Sequence, residues 1–402
     1  VVLNTIGNGV LLKVLIYTHS FAPNVGGAET LVMLLAGGLA DSLGVYGKEE
    51  ITVITPTPAD GFDDGSLPFS VVRRPGLIRL VRLIMGANIL HLAGPCLVPL
   101  VFGLLLRKRI VIEHHCFQPI CPNGLLFYGP TQMPCPGHFM AGRHYECLRC
   151  NAASGRLHSL KLWLLTFPRR WLCGFVSANV AITGWLAREL RLPATVTIHC
   201  GVKERRDRVV QKGIKIPLTF AFIGRLVTTK GVHILLQAAN LLRSRGLTFN
   251  LKIIGEGPER SKLEAQANAL GLTDRVSFMG YLPEEGLKEA LADVAVVVMP
   301  SLNGETFGLV AAENMIQGRS VVVSDIGVLS EVVGDAGLRF PPGDSEGLAA
   351  CLQSILEDPE LLLELQERAR KRALELFKQE RMVGNHLSLY RGVLSCKGLY
   401  RN

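Results

Sequence analysis

The chain has 402 residues, 48% hydrophobic and 19% charged, with a net charge of +9. That composition excludes a disordered chain and suffices for two α/β domains of about 200 residues, each with its own buried sheet. The charge is concentrated: residues 1–200 hold 17 Lys/Arg against 10 Asp/Glu, so that half suits an acidic partner such as an anionic membrane surface or a phosphorylated acceptor.

Residues 13–18 read as a parallel strand and 19–24 as a loop. Val25-Gly26-Gly27-Ala28-Glu29 opens a helix over 30–43, and two glycines before a helix let backbone approach an anion closely. A strand over 51–55 is followed by a Pro/Gly/Asp-rich loop to about residue 68. A strand over 89–92, a helix over 96–106 and a strand over 109–113 continue the alternation. Repeated strand–helix units imply a doubly wound parallel sheet with ligands at the carboxyl ends of its strands. Glu113-His114-His115 stands at such an end, a position that raises the functional odds for a histidine. The apolar stretch 11–17 is too short for a secretory signal, and 90–106 falls just short of a membrane span and is broken by Gly94, Pro95, Pro99 and Gly103. A cytoplasmic location is expected, peripheral on the inner face of the membrane.

Residues 116–151 form a Pro- and Gly-rich insertion holding Cys116, Cys121, Cys135, Cys147 and Cys150, with His138 and His144. Cys147-Leu148-Arg149-Cys150 has the spacing that lets two thiolates grip one tetrahedral metal, and Cys121 and Cys135 would complete a structural zinc site. An iron–sulfur cluster and a redox pair are the alternatives. Residues 157–175 read as an amphipathic helix whose aromatics lie beside Lys161, Arg169 and Arg170. That suits an interfacial membrane contact, or a core helix interrupted by Pro168. Strands over 176–182 and 195–198 complete a first domain, 1–204. The charged run 203–215 is the expected linker to a second domain, 216–378, and residues 379–402 carry a last helix.

The second domain opens with a strand over 218–223, then Gly224-Arg225 and Lys230-Gly231 ahead of a helix over 232–242. Strands over 251–254 and 276–279 end in Gly255-Glu256-Gly257-Pro258 and Gly280-Tyr281-Leu282-Pro283. A buried strand over 294–299 and Pro300-Ser301 lead to Gly304-Glu305-Thr306-Phe307-Gly308-Leu309-Val310-Ala311-Ala312-Glu313, a tight loop running into a helix over 308–317. The amides of Phe307, Gly308 and Leu309 at that helix mouth suit a phosphate, and the two carboxylates suit sugar hydroxyls. Further strands at 320–324 and 337–340, a helix capped by Asp344 and a surface helix over 361–377 follow.

The Glu305–Glu313 segment resembles the signature of retaining glycosyltransferase family four, the group 1 enzymes of glycogen-synthase and mannosyltransferase type. The Gly224–Gly231 loop and the rest of the chain fit that resemblance. It implies the GT-B architecture: two Rossmann-like domains facing across a cleft, the last helix returning to the first domain. It implies a nucleoside-diphosphate sugar as donor, UDP- or GDP-linked, with Arg225, Lys230 and the Thr306–Leu309 amides on the diphosphate and Glu313 on the ribose. Glu305 and His115 would orient the transferred hexose, with His114 the alternative register. Loops at Gly255 and Tyr281 would meet the nucleobase, and Gly26-Gly27 would lie over the diphosphate and acceptor. No Asp-x-Asp occurs in the chain, so no divalent ion is expected in catalysis. The implied reaction is retaining hexosyl transfer to a lipid-linked or polysaccharide acceptor. A nucleotide-sugar epimerase of the same architecture would share the donor site. A zinc-stapled nucleic-acid-binding protein is the reading from another class, but the chain lacks any motif for reading nucleic acid.

Overall fold

The computed structural model of the protein describes residues 5–6, 10–44, 50–204 and 216–395. The chain divides into two compact units: Val1–Pro130, Cys135–Gly201 and Gln379–Asn402 form one, and Val202–Lys378 with Thr131–Pro134 form the other. Most of the expected linker, residues 205–215, lies outside the described residues.

The main sheet of the first unit has seven strands: β1 (Val14–Thr18), β2 (Ile51–Thr55), β3 (Ser70–Arg73), β4 (Ile89–Ala93), β5 (Arg109–His114), β6 (Ala178–Ala181) and β7 (Thr195–Thr197). They pair in parallel in the order β7-β6-β5-β4-β1-β2-β3, so the winding reverses between β1 and β4. Its helices are α1 (Gly27–Leu43), α2 (Leu77–Gly86), α3 (Leu97–Leu105), α4 (His144–Cys150), α5 (Arg156–Leu172) and α6 (Gly184–Leu190). On one face of the sheet, Val32, Leu35 and Leu39 of α1 recur at helical spacing and pack with Ile16, Val53 and Tyr390. Tyr390 belongs to the last helix, Gln379–Ser395, which lies on α1. Gly38 sets their separation: a Cβ there would stand 2.5 Å from Val383 Cγ2. Gln379 Nε2 donates to the Leu34 carbonyl at 2.8 Å.

Two elements of this unit fall between residues 68 and 89, where sequence reasoning assigned neither strand nor helix. β3 is an edge strand, half-buried at all four positions, and so shows no apolar alternation. α2 turns Leu80 and Ile84 inward while Ile78 and Met85 are exposed, which blurs its helical period. Pro168 does not interrupt α5, which runs through it to Leu172.

The second unit runs β8 (Leu218–Ile223), α7 (Val232–Ser244), β9 (Phe249–Ile254), α8 (Arg260–Ala269), β10 (Val276–Gly280), α9 (Glu284–Ala290), β11 (Val294–Met299), α10 (Leu309–Ile316), β12 (Ser320–Ser324), α11 (Gly327–Val333), β13 (Leu338–Phe340), α12 (Ser345–Glu357) and α13 (Pro359–Leu376). The helix Gln379–Ser395 is α14. The strand order β10-β9-β8-β11-β12-β13, all parallel, is the Rossmann order, with its switch point between β8 and β11. Every residue of β11 is buried, which accounts for its unbroken apolar run. Asp344 caps α12 by accepting from Gly347 N–H at 2.9 Å. No helix among the described residues is long and apolar enough to cross a membrane.

Candidate functional site

In the second unit the loops leaving β8 and β11 border the switch point, and backbone contacts knit them together. Leu302 N–H donates to the Thr229 carbonyl at 2.8 Å. Gly231 is held at φ +68°, and a Cβ there would stand 1.9 Å from the Pro300 carbonyl oxygen, so only glycine fits. The loop after β9 closes on the same place: Gly255, at φ +135°, leaves no room for a Cβ, which would be 1.9 Å from the Gly224 oxygen. Leu226 N–H donates to Glu256 O at 2.8 Å, and Gly255 N–H to Gly280 O at 2.8 Å.

This frame brings Lys230 onto Glu305: Nζ pairs with Oε1 of the buried carboxylate. Ser301 Oγ donates to the same oxygen at 2.9 Å. Ser301 is the member that sequence reasoning passed over; its signal was a hydroxyl two residues after a buried strand. Gly308 caps α10 in the left-handed region, and the first N–H groups of such a helix lack intrahelical partners. Phe307 is buried with its ring edge-on to Phe377 at 5.3 Å, anchoring the helix mouth. Arg225 and Glu313 are exposed on the same unit, on the β8 loop and on α10, as is Tyr281 after β10. Together the unit offers a paired lysine, an exposed arginine and a helix N-terminus, a set suited to a phosphate-bearing ligand.

In the first unit β5 separates the two histidines. His114 is a core residue: Nε2 lies 2.9 Å from Asn179 Oδ1, and burial pushes its pKa down to about 4. His115 instead turns to Glu113, with Nε2 3.1 Å from Oε2. The same carboxylate meets His91 Nε2 at 3.3 Å and His386 Nε2 at 3.5 Å. Tyr390 OH lies 2.8 Å from His91 Nδ1. Burial pushes the Glu113 carboxyl up, but the charge and hydrogen bonds of the surrounding histidines outweigh it and hold it well below the usual carboxylate range. Sequence reasoning missed this network because its members come from β4, β5 and α14.

At the start of α1, Gly26 is extended and the Glu29 carboxylate folds back over it; a Cβ on Gly26 would stand 2.5 Å from Glu29 Oε2. That carboxylate supplies the negative charge that a helix mouth favours, and Gly27 beside it is exposed.

The zinc expected at Cys121, Cys135, Cys147 and Cys150 does not fit. The four cysteines line one small cavity. Cys121 Sγ donates to Asn123 Oδ1 at 2.9 Å, while Asn123 Nδ2 donates to Cys150 Sγ at 3.5 Å. The amide thus stands between two of the sulfurs. Burial raises the Cys121 thiol to about 11 and the Cys147 thiol to about 12. No group of three or more His, Cys, Asp or Glu among the described residues is arranged to hold a metal ion.

Residues 204–372 match the family "Glycosyl transferases group 1". The chain is 32% identical over 175 residues to 2-deoxystreptamine glucosyltransferase of Streptomyces kanamyceticus, covering 43% of this chain and 45% of that protein. It is 32% identical over 236 residues to glycogen synthase of Mycobacterium tuberculosis, covering 58% and 56%. The chain therefore spans about half the length of the curated relatives it matches. HepE of Anabaena, solved in complex with UDP, superposes with a TM-score of 0.70 at 18% identity over 94% of this chain and 99% of that one; the same protein has also been solved with UDP-glucose. Residues 204–372 belong to the group 1 glycosyl transferases, and the chain has the GT-B fold.

Proposed function

We propose that the protein is a retaining, metal-independent hexosyltransferase. It moves a hexose from a UDP- or GDP-linked donor to an acceptor hydroxyl in the synthesis of cell-envelope glycolipid or polysaccharide. The observation that carries this reading is the pairing of Lys230 with Glu305 where the β8 and β11 loops meet, next to the N-terminus of α10. A diphosphate gains charge as the glycosidic bond breaks, and preorganised cations and amides stabilise that charge without reorganisation. Lys230 and Arg225 neutralise it, helped by the amides of Thr306, Phe307, Gly308 and Leu309. Glu313 holds the ribose hydroxyls, and the loops at Gly255 and Tyr281 meet the base. Glu305 receives a hydroxyl of the transferred sugar while Ser301 fixes its carboxylate.

The first unit serves the acceptor. His115, oriented by Glu113, contacts the transferred sugar, and Gly26-Gly27 meet an anionic group. Configuration is retained by attack on the face from which the phosphate leaves, assisted by that phosphate. The acceptor is lipid-linked or a growing polysaccharide, and the protein works on the cytoplasmic side of the membrane. The UDP and UDP-glucose complexes of HepE favour this donor class.

A thermal-shift screen of UDP, GDP and ADP sugars tests the reading. One nucleotide should raise the melting temperature, and Lys230→Ala should reduce the rise. No stabilisation by any of them would sink it, and donor turnover without acceptor would point to an epimerase.

A further inference from the structure

The outer face of α5 inverts the usual order of a surface helix. Its exposed stripe is Leu157, Leu160, Leu164, Phe167 and Trp171, spaced three or four apart, while Ser159 and Thr166 are buried. Leu157 is 85% exposed and Trp171 66%. The adjoining helix α3 repeats the pattern with Val98, Val101 and Leu105, the last 72% exposed. Beside α3, α2 exposes Leu77, Ile78 and Met85, Ile78 to 72%. Three neighbouring helices of one unit therefore turn apolar side chains to water, which marks an interaction surface.

The charges say what kind. None of the three helices contains an Asp or a Glu. Arg79, Arg82 and Lys161 are exposed among the apolar residues, and Arg107 follows α3. At the end of α5, Arg170 and Arg191 line a surface cavity of about 330 Å³ beside Trp171, Leu192 and Pro193. Apolar residues with a tryptophan, interleaved with cations alone, match the headgroup boundary of an anionic bilayer. A second copy of the chain would bring the same acid-free face and repel it.

We propose that the outer face of α2, α3 and α5 seats the protein on an anionic lipid bilayer, apolar side chains at the acyl boundary and arginines among the headgroups. The proposal goes beyond the proposed reaction and stands whether or not the donor site is as described.

Flotation of the full chain with vesicles tests it. Phosphatidylcholine vesicles containing phosphatidylglycerol should carry the protein in about 0.1 M salt and release most of it in about 0.5 M salt, since screening weakens the cationic contribution. Pure phosphatidylcholine should carry little. The variant Leu157→Ser/Leu164→Ser/Trp171→Ser should lower the bound fraction at least about tenfold. A second variant, Arg79→Gln/Arg82→Gln, leaves the apolar face intact and should weaken only the preference for anionic vesicles. Circular dichroism of both variants separates lost binding from lost fold. No flotation with anionic vesicles, undiminished flotation of both folded variants, or a solution dimer that the triple variant dissociates would overturn the proposal.

Discussion

Replacing Lys230 with Ala should have two separable consequences. The first concerns stability. Side-chain exposure is 28% for Lys230 and 10% for Glu305, so the pair is screened from water more than a surface pair and less than a buried one. Breaking a fully buried pair costs about 3–5 kcal/mol and an exposed one under about 1 kcal/mol. A loss of about 2 kcal/mol is expected, because Glu305 is left as a buried carboxylate without its cation. The second concerns binding. A charge-assisted hydrogen bond contributes about 1.5–3 kcal/mol, so the dissociation constant for UDP, or for GDP if that is the preferred nucleotide, should rise roughly tenfold to a hundredfold. Adding Glu305→Gln to Lys230→Ala removes the uncompensated charge, so it should restore stability but not binding. Thermal unfolding gives the first quantity and titration calorimetry the second. A Lys230→Ala protein that binds the nucleotide within about twofold of wild type would refute the reasoning, because a lysine on the diphosphate cannot be that cheap to lose.

Gly231→Ala should destabilise the second unit by about 2 kcal/mol or more and abolish nucleotide binding, because a Cβ meets the Pro300 carbonyl at a positive φ; thermal unfolding with and without nucleotide checks both. His114 predicts acid sensitivity. Its folded pKa of about 4 lies below the ordinary histidine value, so the unfolded chain takes the proton first and stability falls as pH drops from about 6.5 to 4. The contribution is at most about 3 kcal/mol, and His114→Gln should flatten melting temperature against pH over that window. Glu113→Gln should cut kcat by releasing His115 while leaving nucleotide affinity unchanged; an undiminished kcat would deny it a positioning role. Dialysis against a chelator should leave the melting temperature unchanged, as the Asn123 amide between the sulfurs requires; a fall would restore the zinc.

The architecture was legible where residues are buried on all sides. Val294–Met299 reads as a strand because every position is interior, and the pairing of glycine turns with strand ends located the loops over the second sheet. Elements with a mixed surface were not legible: β3 is a half-buried edge, and α2 carries leucines and isoleucines on both faces. The cysteine cluster was visible as a cluster, since four of its sulfurs do line one cavity. Their roles were not, because an asparagine two residues after Cys121 occupies the space between them. The Glu113 network was the least accessible. Tyr390 reaches His91 across 299 positions of sequence, and no local pattern encodes such a meeting. The resemblance favoured His115 over His114, and only the structure shows His114 in the core against Asn179.

The most direct test of the donor site is a crystal structure of the protein with its preferred nucleoside diphosphate. The account predicts the diphosphate against Lys230 and the N-terminal amides of α10, with the ribose on Glu313. A nucleotide bound away from the β8 and β11 loops, with Lys230 still paired only to Glu305, would contradict it.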